Sequence, residues 1–483
     1  MIEKQILLVL YALKVIPMGK KLSLDLLDTL VNKKIMFDRV EPFTEEMAKD
    51  RYYAVRAMYS HLFVNYSKGL VSKAVLARLI KTLVESVMFK GNGSKKTRDA
   101  YFNRNSSRPP SLAVISPTQK CNLNCTGCYA SSDSKKCNSI DHFTLEKVVN
   151  QLYNGMGMRF FVISGGEPLL YNSEGYTIFD LAKNFQDCFF LVFTNGTLIT
   201  KSVAKKIAEC GNITPAISVE GYRDETDARR GFGAFAKILE AFTNLREAGV
   251  PFGVSVTATK KNINLLTSDL FYNYYFKEIG ATYMWSFQLM PIGRATATEL
   301  MVTPSQRVAL FKKQREILID KKYFVADFWN SAVMSRGCIA CGSPSGYFHI
   351  DWDGNIMPCV FVPYYQDNIY NLFKNGKTIE DAMNSKLFRA GRELQYKIKH
   401  DCGRIGNLLM PCIYRDHHKE FISVIDSLDK ICCENAEAEE ALTSSEYHKR
   451  LEDFDGELKN LTADIWEDVY LKNKSIKSKC CKN

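Results

Sequence analysis

Three cysteines, Cys121, Cys125 and Cys128, stand within eight residues on a short polar loop that follows the apolar run Leu112–Ile115. Three thiolates at this spacing can bind three irons of a cubane iron–sulfur cluster and leave the fourth iron without a protein ligand. An iron with an open coordination position can bind a further molecule and act on it. The spacing therefore predicts a metal cluster that carries out chemistry.

Two other interpretations of these cysteines are a disulfide knot and a structural zinc site. A zinc site normally shows a C-x2-C pair followed by a second pair downstream, whereas this loop has the spacing C-x3-C-x2-C. The open cluster fits the spacing better than either alternative.

A second motif lies about forty residues further on, where a buried-strand pattern ends in Gly165, Gly166, Glu167 and Pro168. The two motifs in this order resemble those of the radical S-adenosylmethionine (SAM) enzymes. The resemblance implies a [4Fe-4S] cluster on the three cysteines, with SAM bound at its open iron and held in part by these four residues. One departure is Gly127, because the family often has an aromatic residue just before the third cysteine.

Three further residues resemble family positions that contact SAM. Asn195 follows the third predicted strand and Ser218 ends the fourth, where the family approaches the ribose. Arg230 resembles an arginine near the methionine carboxylate, for which a guanidinium is well shaped. The alternatives are ordinary strand-terminating turns for the first two, and a surface pair or a role for Arg229 in place of Arg230.

Short apolar runs alternate with amphipathic segments from residue 111 onward, which is typical of parallel strands joined by crossover helices. We predict an α/β fold, a partial (β/α)6 TIM-like barrel whose functional loops gather at the carboxyl ends of the strands. The predicted strands are 112–117, 159–164, 188–194, 214–219, 252–258 and 282–289. The predicted helices are 143–155, 176–185, 200–210, 233–248, 262–279 and 304–320.

A second set of cysteines follows the barrel, and an Asp353-Gly354 pair within it predicts a hairpin that brings Cys341 and Cys359 together. The set resembles the SPASM or twitch extension of radical SAM enzymes, although the dense cysteine run of the full SPASM form is missing. The resemblance implies one auxiliary [4Fe-4S] cluster, with a zinc knuckle as the alternative. Cys359 and Cys412 are the best ligands, and the contenders for the two remaining positions are Cys338, Cys341 and Cys402.

These patterns divide the chain into four predicted domains. Residues 1–105 form a helical, basic region that ends in a polar linker at 91–110, and residues 106–325 form the barrel. Residues 326–425 form the small cysteine-rich extension. Residues 426–483 form a charged, helical tail, which is either a solvated cap or an interaction arm. The first helix is amphipathic, so it can pack on its neighbours or lie on a membrane surface.

Composition narrows the function classes. The chain has 483 residues, 46% of them hydrophobic, and no apolar run near the length that a membrane-spanning helix needs. We expect a cytoplasmic protein, with peripheral membrane contact as an alternative. Residues 1–110 contain twenty Lys and Arg against ten Asp and Glu. No basic motif interleaved with aromatic residues is evident, so specific nucleic-acid binding is not expected.

The resemblance implies an oxidoreductase or transferase type of enzyme. It would take an electron from a partner such as flavodoxin or ferredoxin, cleave SAM reductively to a 5′-deoxyadenosyl radical, and abstract hydrogen from a substrate C–H bond. Relatives with this extension most often modify peptides, so peptide or protein maturation is the first prediction. The alternatives are modification of a lipid or other membrane-associated substrate, and a non-enzymatic iron–sulfur or zinc scaffold.

Overall fold

A computed structural model describes residues 2–13, 20–37, 44–91, 93–295, 298–344, 346–401 and 404–472. At its centre seven parallel strands lie side by side in chain order and curve into a partial barrel. The strands are β1 (Leu112–Ile115), β2 (Phe160–Ile163), β3 (Phe189–Thr194), β4 (Ile213–Val219), β5 (Gly253–Ala258), β6 (Tyr283–Gln288) and β7 (Val325–Asp327). The six predicted strands are confirmed, and β7 was missed because its three residues give no pattern.

Helices precede these strands, alternate with them around the barrel and follow them. In the amino-terminal region they are α1 (Ile2–Leu13), α2 (Lys20–Phe37), α3 (Glu45–Ser67), α4 (Lys73–Leu79) and α5 (Ser94–Asn105). Around the barrel they are α6 (His142–Asn150), α7 (Ile178–Asn184), α8 (Lys201–Cys210), α9 (Arg223–Arg230), α10 (Ala234–Glu247), α11 (Ile263–Leu266), α12 (Asp269–Asn273) and α13 (Pro304–Glu316). The carboxyl-terminal helices are α14 (Ala332–Ser335), α15 (Ile369–Lys374), α16 (Ile379–Ala382), α17 (Lys386–Lys399), α18 (His418–Asp426), α19 (Ala436–Thr443) and α20 (Ser445–Ile465).

Several helices continue into π-helical turns, which lengthen α4, α6, α12, α13 and α20. These turns are Ile80–Met88, Gln151–Gly155, Tyr274–Ile279, Ile317–Lys321 and Trp466–Leu471. Where the sequence predicts one helix at 262–279, the structure therefore has three successive helical pieces. α9 was not predicted, because its eight residues carry one buried side chain and so no apolar stripe.

The cysteine-rich extension continues the barrel sheet at its β1 edge. β8 (His349–Ile350) pairs parallel with β1 and antiparallel with β9 (Asn355–Met357), and β9 pairs with β11 (Asp367–Asn368). The predicted hairpin is confirmed, with Gly354 at its turn at φ +80°. Two small ribbons complete the extension: β10 (Tyr364–Tyr365) with β14 (Cys432–Cys433), and β12 (His400–Asp401) with β13 (Arg404–Ile405).

α3 covers the end of the barrel at which the strands begin. His61 Nε2 lies 3.1 Å from the carbonyl oxygen of Phe276, and Asn65 Nδ2 donates to the carbonyl of Gly280 at 2.8 Å. These carbonyls lie in the segment that leads into β6. The Ser72 amide likewise donates to Gly249, just before β5. α3 is therefore the floor of the barrel, opposite the carboxyl ends of the strands.

The amphipathic first helix packs on its neighbours. Ile6, Leu10 and Leu13 are buried in one hydrophobic cluster with residues of α2, α3 and α4. No helix among the residues that the structure describes is long and apolar enough to cross a membrane.

The segment 91–110, predicted as a linker, is largely helical, so that prediction was wrong. It contains α5, in which Arg98 is 5% exposed and donates to the carbonyls of Pro109 and Pro110 at 2.8 and 2.9 Å. The helix was missed because its composition is polar. Its buried arginine donates hydrogen bonds to the backbone carbonyls that lead into β1, which polar composition alone does not indicate.

As far as residue 472, the charged tail is largely helical as predicted, but α20 and its π-helical turn are packed rather than solvated. Tyr470 is 1% exposed and donates to Asp50 Oδ2 of α3 at 2.6 Å. Trp466 Nε1 donates to the Ile405 carbonyl at 3.3 Å. The spacing of Trp466 and Tyr470, four residues apart on an acidic helix, indicates this packing. The prediction of a solvated tail relied on the charged residues and overlooked that spacing.

Candidate functional site

The three cysteines of the first motif share one cavity at the carboxyl ends of the barrel strands. Cys121 is buried, and Cys125 and Cys128 are half-buried. Burial raises the pKa of Cys121 to about 12, so this thiol stays protonated until a cation is bound. The arrangement provides three sulfur donors on one loop beside an open space, which fits a cluster with one free coordination position.

Two arginines hold the cysteine loop in place from outside the motif. Arg294 Nη1 donates to the carbonyl of Cys125 at 3.0 Å, and the Arg294 amide donates to that of Cys128 at 3.0 Å. Arg229 donates to the carbonyls of Thr126 and Gly127 at 3.1 and 3.2 Å. The sequence analysis gave Arg229 only as an alternative to Arg230 at SAM and assigned no role to Arg294, so the contacts of both arginines with the loop were missed.

The two glycines of the second motif are required by the close approach of the cysteine loop. The Gly166 amide donates to the Thr118 carbonyl at 2.9 Å, and the Glu167 amide donates to that of Lys120 at 2.8 Å. A Cβ atom on Gly166 would lie 2.3 Å from the Lys120 carbonyl oxygen, and one on Gly165 would lie 2.5 Å from that of Thr118. The bare backbone of this motif therefore fixes the segment that leads into Cys121.

We predict that Gly166→Ala displaces the cysteine loop while leaving the barrel folded. The clashing atoms are backbone oxygens, which cannot rotate away as a side chain could. Iron bound after anaerobic reconstitution should fall by at least about half, since the ligand geometry is lost. Gly155→Ala is a matched control, because Gly155, like Gly166, has no positive φ but has nothing within 4 Å of its Cβ position. Equal iron content in the two variants would contradict this prediction.

Glu167 is fully buried and joins β2 to the end of β3. One carboxylate oxygen accepts from Thr194 Oγ1 at 2.7 Å, and the other accepts from the Asn195 amide at 2.8 Å. Burial raises the pKa of this carboxyl, although the hydrogen bonds donated to it lower the pKa. Pro168 begins a short 3-10 helix directly after it. The predicted role of Glu167 at the SAM ammonium stays a prediction.

The other predicted SAM-binding residues also line the cavity. The side-chain amide of Asn195 lies 3.8 Å from Cys121 Sγ and donates to Asn122 Oδ1 at 2.8 Å. Ser218 lines it from β4, and Arg230 lines it from the end of α9. The structure therefore brings together the residues that the two motifs and the strand ends predicted.

Arg230 and Arg229 share one buried carboxylate. Arg230 Nη2 lies 2.5 Å from Glu220 Oε1, and Arg229 Nη1 lies 2.7 Å from Glu220 Oε2. Glu220 is 2% exposed, so its charge is balanced by the pair of guanidiniums rather than by water. The sequence analysis offered Arg230 or Arg229 as the arginine of the SAM site. Both pair with Glu220, and Arg229 also donates to the cysteine loop.

The cavity extends well beyond the cysteine loop and has a volume of about 520 Å³. Its walls are mainly aromatic and aliphatic side chains that point inward from the barrel strands and from the extension. These residues are Leu112, Val114, Phe160, Val162, Leu191, Phe193, Trp285, Phe287, Phe324, Phe328, Tyr347 and Phe361. A cavity of this size and character can hold a small molecule or an apolar segment beside the cluster site.

The second set of cysteines lies beside this cavity in the extension. Cys338, Cys359 and Cys412 line one small cavity of about 30 Å³, so a cluster would require the side chains around it to open. Cys341 is buried beside them and is held at φ +60°. Tyr347 Oη lies 2.7 Å from Cys359 Sγ. Burial raises the pKa of all four thiols. Neighbouring thiolate charges would raise the pKa of Cys338, Cys341 and Cys359 further, and the charge of Asp416 raises that of Cys412.

The donor set of the extension fits an iron–sulfur cluster in its chemistry, since four thiols from three segments converge there. Across the described ranges, no three His, Cys, Asp or Glu side chains meet at a point as the ligands of a single metal ion do. Cys402, a contender in the sequence analysis, lies outside the described residues.

Comparison with known proteins agrees with the two motif assignments. The chain matches the Radical SAM superfamily over residues 115–264 and the SPASM iron-sulfur cluster-binding domain over residues 341–404. This chain is a radical SAM enzyme with a SPASM domain. Its cofactors are therefore a [4Fe-4S] cluster, SAM and auxiliary iron–sulfur clusters.

Two relatives of this radical SAM enzyme illustrate the range of the family. An AdoMet-dependent heme synthase from Methanosarcina barkeri is 27% identical, covering 61% of this chain and 88% of the relative. Mycofactocin maturase MftC from Mycobacterium ulcerans is 28% identical, covering 58% of this chain and 76% of the relative. The two act on different substrates by name, so the likeness leaves the substrate of this enzyme open.

The solved structure of Streptococcus suis SuiB bound to S-adenosylmethionine shares the fold. Its TM-score is 0.52 at 16% identity, and the match covers 67% of this chain and 77% of SuiB. The radical SAM enzyme thus has the partial barrel that the alternating strand and helix patterns predicted.

Proposed function

We propose that this enzyme abstracts a hydrogen atom from a C–H bond of a substrate held in the barrel cavity, in the modification or maturation of a peptide or protein. The observation that carries the proposal is that the cysteine loop and the predicted SAM-binding residues line the same cavity as the apolar barrel wall. A maturase among the relatives supports a peptide substrate. The family assignment favours an enzyme over the non-enzymatic scaffold.

In this proposal Cys121, Cys125 and Cys128 hold the [4Fe-4S] cluster. SAM is held by Gly165, Gly166, Glu167, Pro168, Asn195, Ser218 and Arg230. The cofactors, reduced by a partner such as flavodoxin or ferredoxin, supply the 5′-deoxyadenosyl radical. The chain itself orients the cluster site, because Arg229 and Arg294 fix the cysteine loop. The aromatic wall of the cavity excludes water from that site.

We also propose that Cys338, Cys341, Cys359 and Cys412 hold one auxiliary [4Fe-4S] cluster. We predict that Cys359→Ala lowers the bound iron by about four atoms per chain, the content of one cubane. Cys210→Ala is the control, because Cys210 is buried in α8 apart from both cysteine sets. Iron analysis after anaerobic reconstitution measures the difference, and unchanged iron in Cys359→Ala would exclude this ligand.

A lipid or other membrane-associated substrate is the second candidate, and the apolar wall of the cavity favours it. Acyl chains, like amino-acid side chains, offer unactivated C–H bonds. A comparison of peptides and lipids between a deletion strain and its parent distinguishes the two. Loss of a modified peptide supports the first proposal, and loss of a modified lipid replaces it with the second.

A further inference from the structure

The barrel cavity runs from the cysteine loop to the floor of the barrel. Its wall includes Phe160 at the start of β2 and Ser164 just after the end of that strand. Its floor is one face of α3, formed by Arg51, Ala54, Val55 and Met58. These four residues stand at i, i+3, i+4 and i+7, so their side chains share a single stripe of the helix.

The cavity reaches solvent beside this floor. Of the described residues that line it, Arg51 on α3 and Ser335 on α14 are the exposed ones. The two helices pack against each other, so the opening lies where they meet. A molecule entering there would approach the cysteine loop from the opposite end of the barrel.

One charge in the cavity wall has no partner among the residues that the structure describes. The charged lining residues are Arg51, Arg229, Arg230 and Asp327. Arg229 and Arg230 are paired with Glu220, and Asp327 accepts hydrogen bonds from neighbouring backbone and side-chain amides. The Arg51 side chain has no hydrogen bond or ion pair within the described part of the chain. Among the described residues, the cavity thus combines an apolar interior with one unpaired guanidinium at its opening.

We propose that the substrate is an apolar molecule or segment with one carboxylate, which enters between α3 and α14, places its apolar part in the cavity and binds its carboxylate at Arg51. This inference rests on the proposed function, since the cavity is the substrate site of that function. A guanidinium can bind a carboxylate through two parallel hydrogen bonds, and burial of the remainder against the apolar wall is favourable.

Two further cations near the opening favour an anion there. Burial lowers the pKa of Arg336, which follows α14, and the neighbouring charge of Arg51 lowers it further. Burial also lowers the pKa of Lys399, with an added contribution from Arg336. Arg336 is thus close enough to Arg51, and Lys399 to Arg336, for their positive charges to repel, and a carboxylate at Arg51 would reduce that repulsion.

The test uses the cluster-loaded enzyme with SAM and no reductant, in equilibrium dialysis under argon. Dodecanoate should bind roughly tenfold tighter than dodecanol, because a hydrogen bond to a charged group adds to the same apolar contact. Arg51→Gln should remove this difference, while Arg51→Lys, which keeps the charge, should retain part of it. Arg389→Gln, which removes an exposed arginine of α17 outside the cavity, should leave it unchanged.

Met58→Asp tests the apolar part of the proposal. A charge on the floor should weaken dodecanoate and dodecanol alike by roughly tenfold or more, because an unpaired carboxylate must then be desolvated. An unchanged melting temperature shows that the variant is folded. Unchanged binding of both probes by this variant would overturn the placement of the apolar part.

The source of the carboxylate is distinguished with peptides. An apolar hexapeptide with a free carboxyl terminus is compared with its amide, alongside dodecanoate. Preference for the free peptide indicates a peptide substrate, and preference for dodecanoate indicates an acyl substrate. If neither acid binds better than its neutral counterpart, or if Arg51→Gln and Arg389→Gln behave alike, the inference is overturned.

Adding reductant separates this inference from the proposed function. Acid-selective binding without any release of 5′-deoxyadenosine would overturn the proposed function and leave the carboxylate site standing. Release of 5′-deoxyadenosine without acid selectivity would overturn the carboxylate site alone.

Discussion

Cys125→Ala is expected to reduce the release of 5′-deoxyadenosine from SAM to the level of a protein-free control. The proposed cluster has three cysteine ligands, and loss of one leaves two, which cannot hold a cubane with a single open iron. Cys125 is half-buried, so its replacement should cost little folding free energy. The measurement is 5′-deoxyadenosine formed under argon with dithionite, together with the iron content.

The matched control is Cys137→Ala. Cys137 is exposed and follows the same loop, but it belongs to neither cysteine set. We expect it to release 5′-deoxyadenosine at the rate of the unchanged enzyme. A Cys125→Ala variant that kept this rate would remove the cysteine loop from the mechanism.

Asp416→Asn is expected to destabilise the fold by about 3–5 kcal/mol, the range for breaking a buried ion pair. Asp416 is 1% exposed and accepts from Arg307 at 2.5 and 2.9 Å and from Arg415 at 3.2 Å. Burial would raise the pKa of this carboxyl, but the two arginines outweigh burial and hold it at about 2. Removing the charge leaves two buried guanidiniums without an anion. Urea unfolding of the cluster-free protein measures the loss.

Asp429→Asn is the control for this second prediction. Asp429 forms an ion pair with Lys386, but the two side chains are 80% and 60% exposed. Exposed pairs contribute about 0–1 kcal/mol, so the midpoint of unfolding should barely move. Equal effects of the two substitutions would show that burial of the Asp416 pair is not what stabilises this region.

The strands and the cysteine loop were predictable because each is encoded locally. A buried parallel strand is a continuous apolar run, as in Phe189–Thr194, and the run itself locates the element. The turn at Gly354 is likewise specified by two adjacent residues. Elements that a few adjacent residues specify were therefore predicted close to the bounds that the structure shows.

The residues that support the cysteine loop were not predictable in the same way. Arg229 and Arg294 act on carbonyls more than a hundred residues earlier in the chain. Their function depends on the barrel bringing separate strand ends together, and no local pattern records that proximity. The helix around Arg98 was missed for a different reason, since a buried arginine cannot be told from an exposed one by composition.

The Tyr470–Asp50 hydrogen bond joins side chains 420 residues apart, and Arg315 completes the group with a 2.9 Å ion pair to Asp50. In a chain synthesised from its amino terminus, α3 therefore lacks this contact until residue 470 has been synthesised. Contacts of such long sequence separation form late and slowly. Ribosome-bound chains halted before residue 470 should thus show faster amide exchange in α3 than released ones.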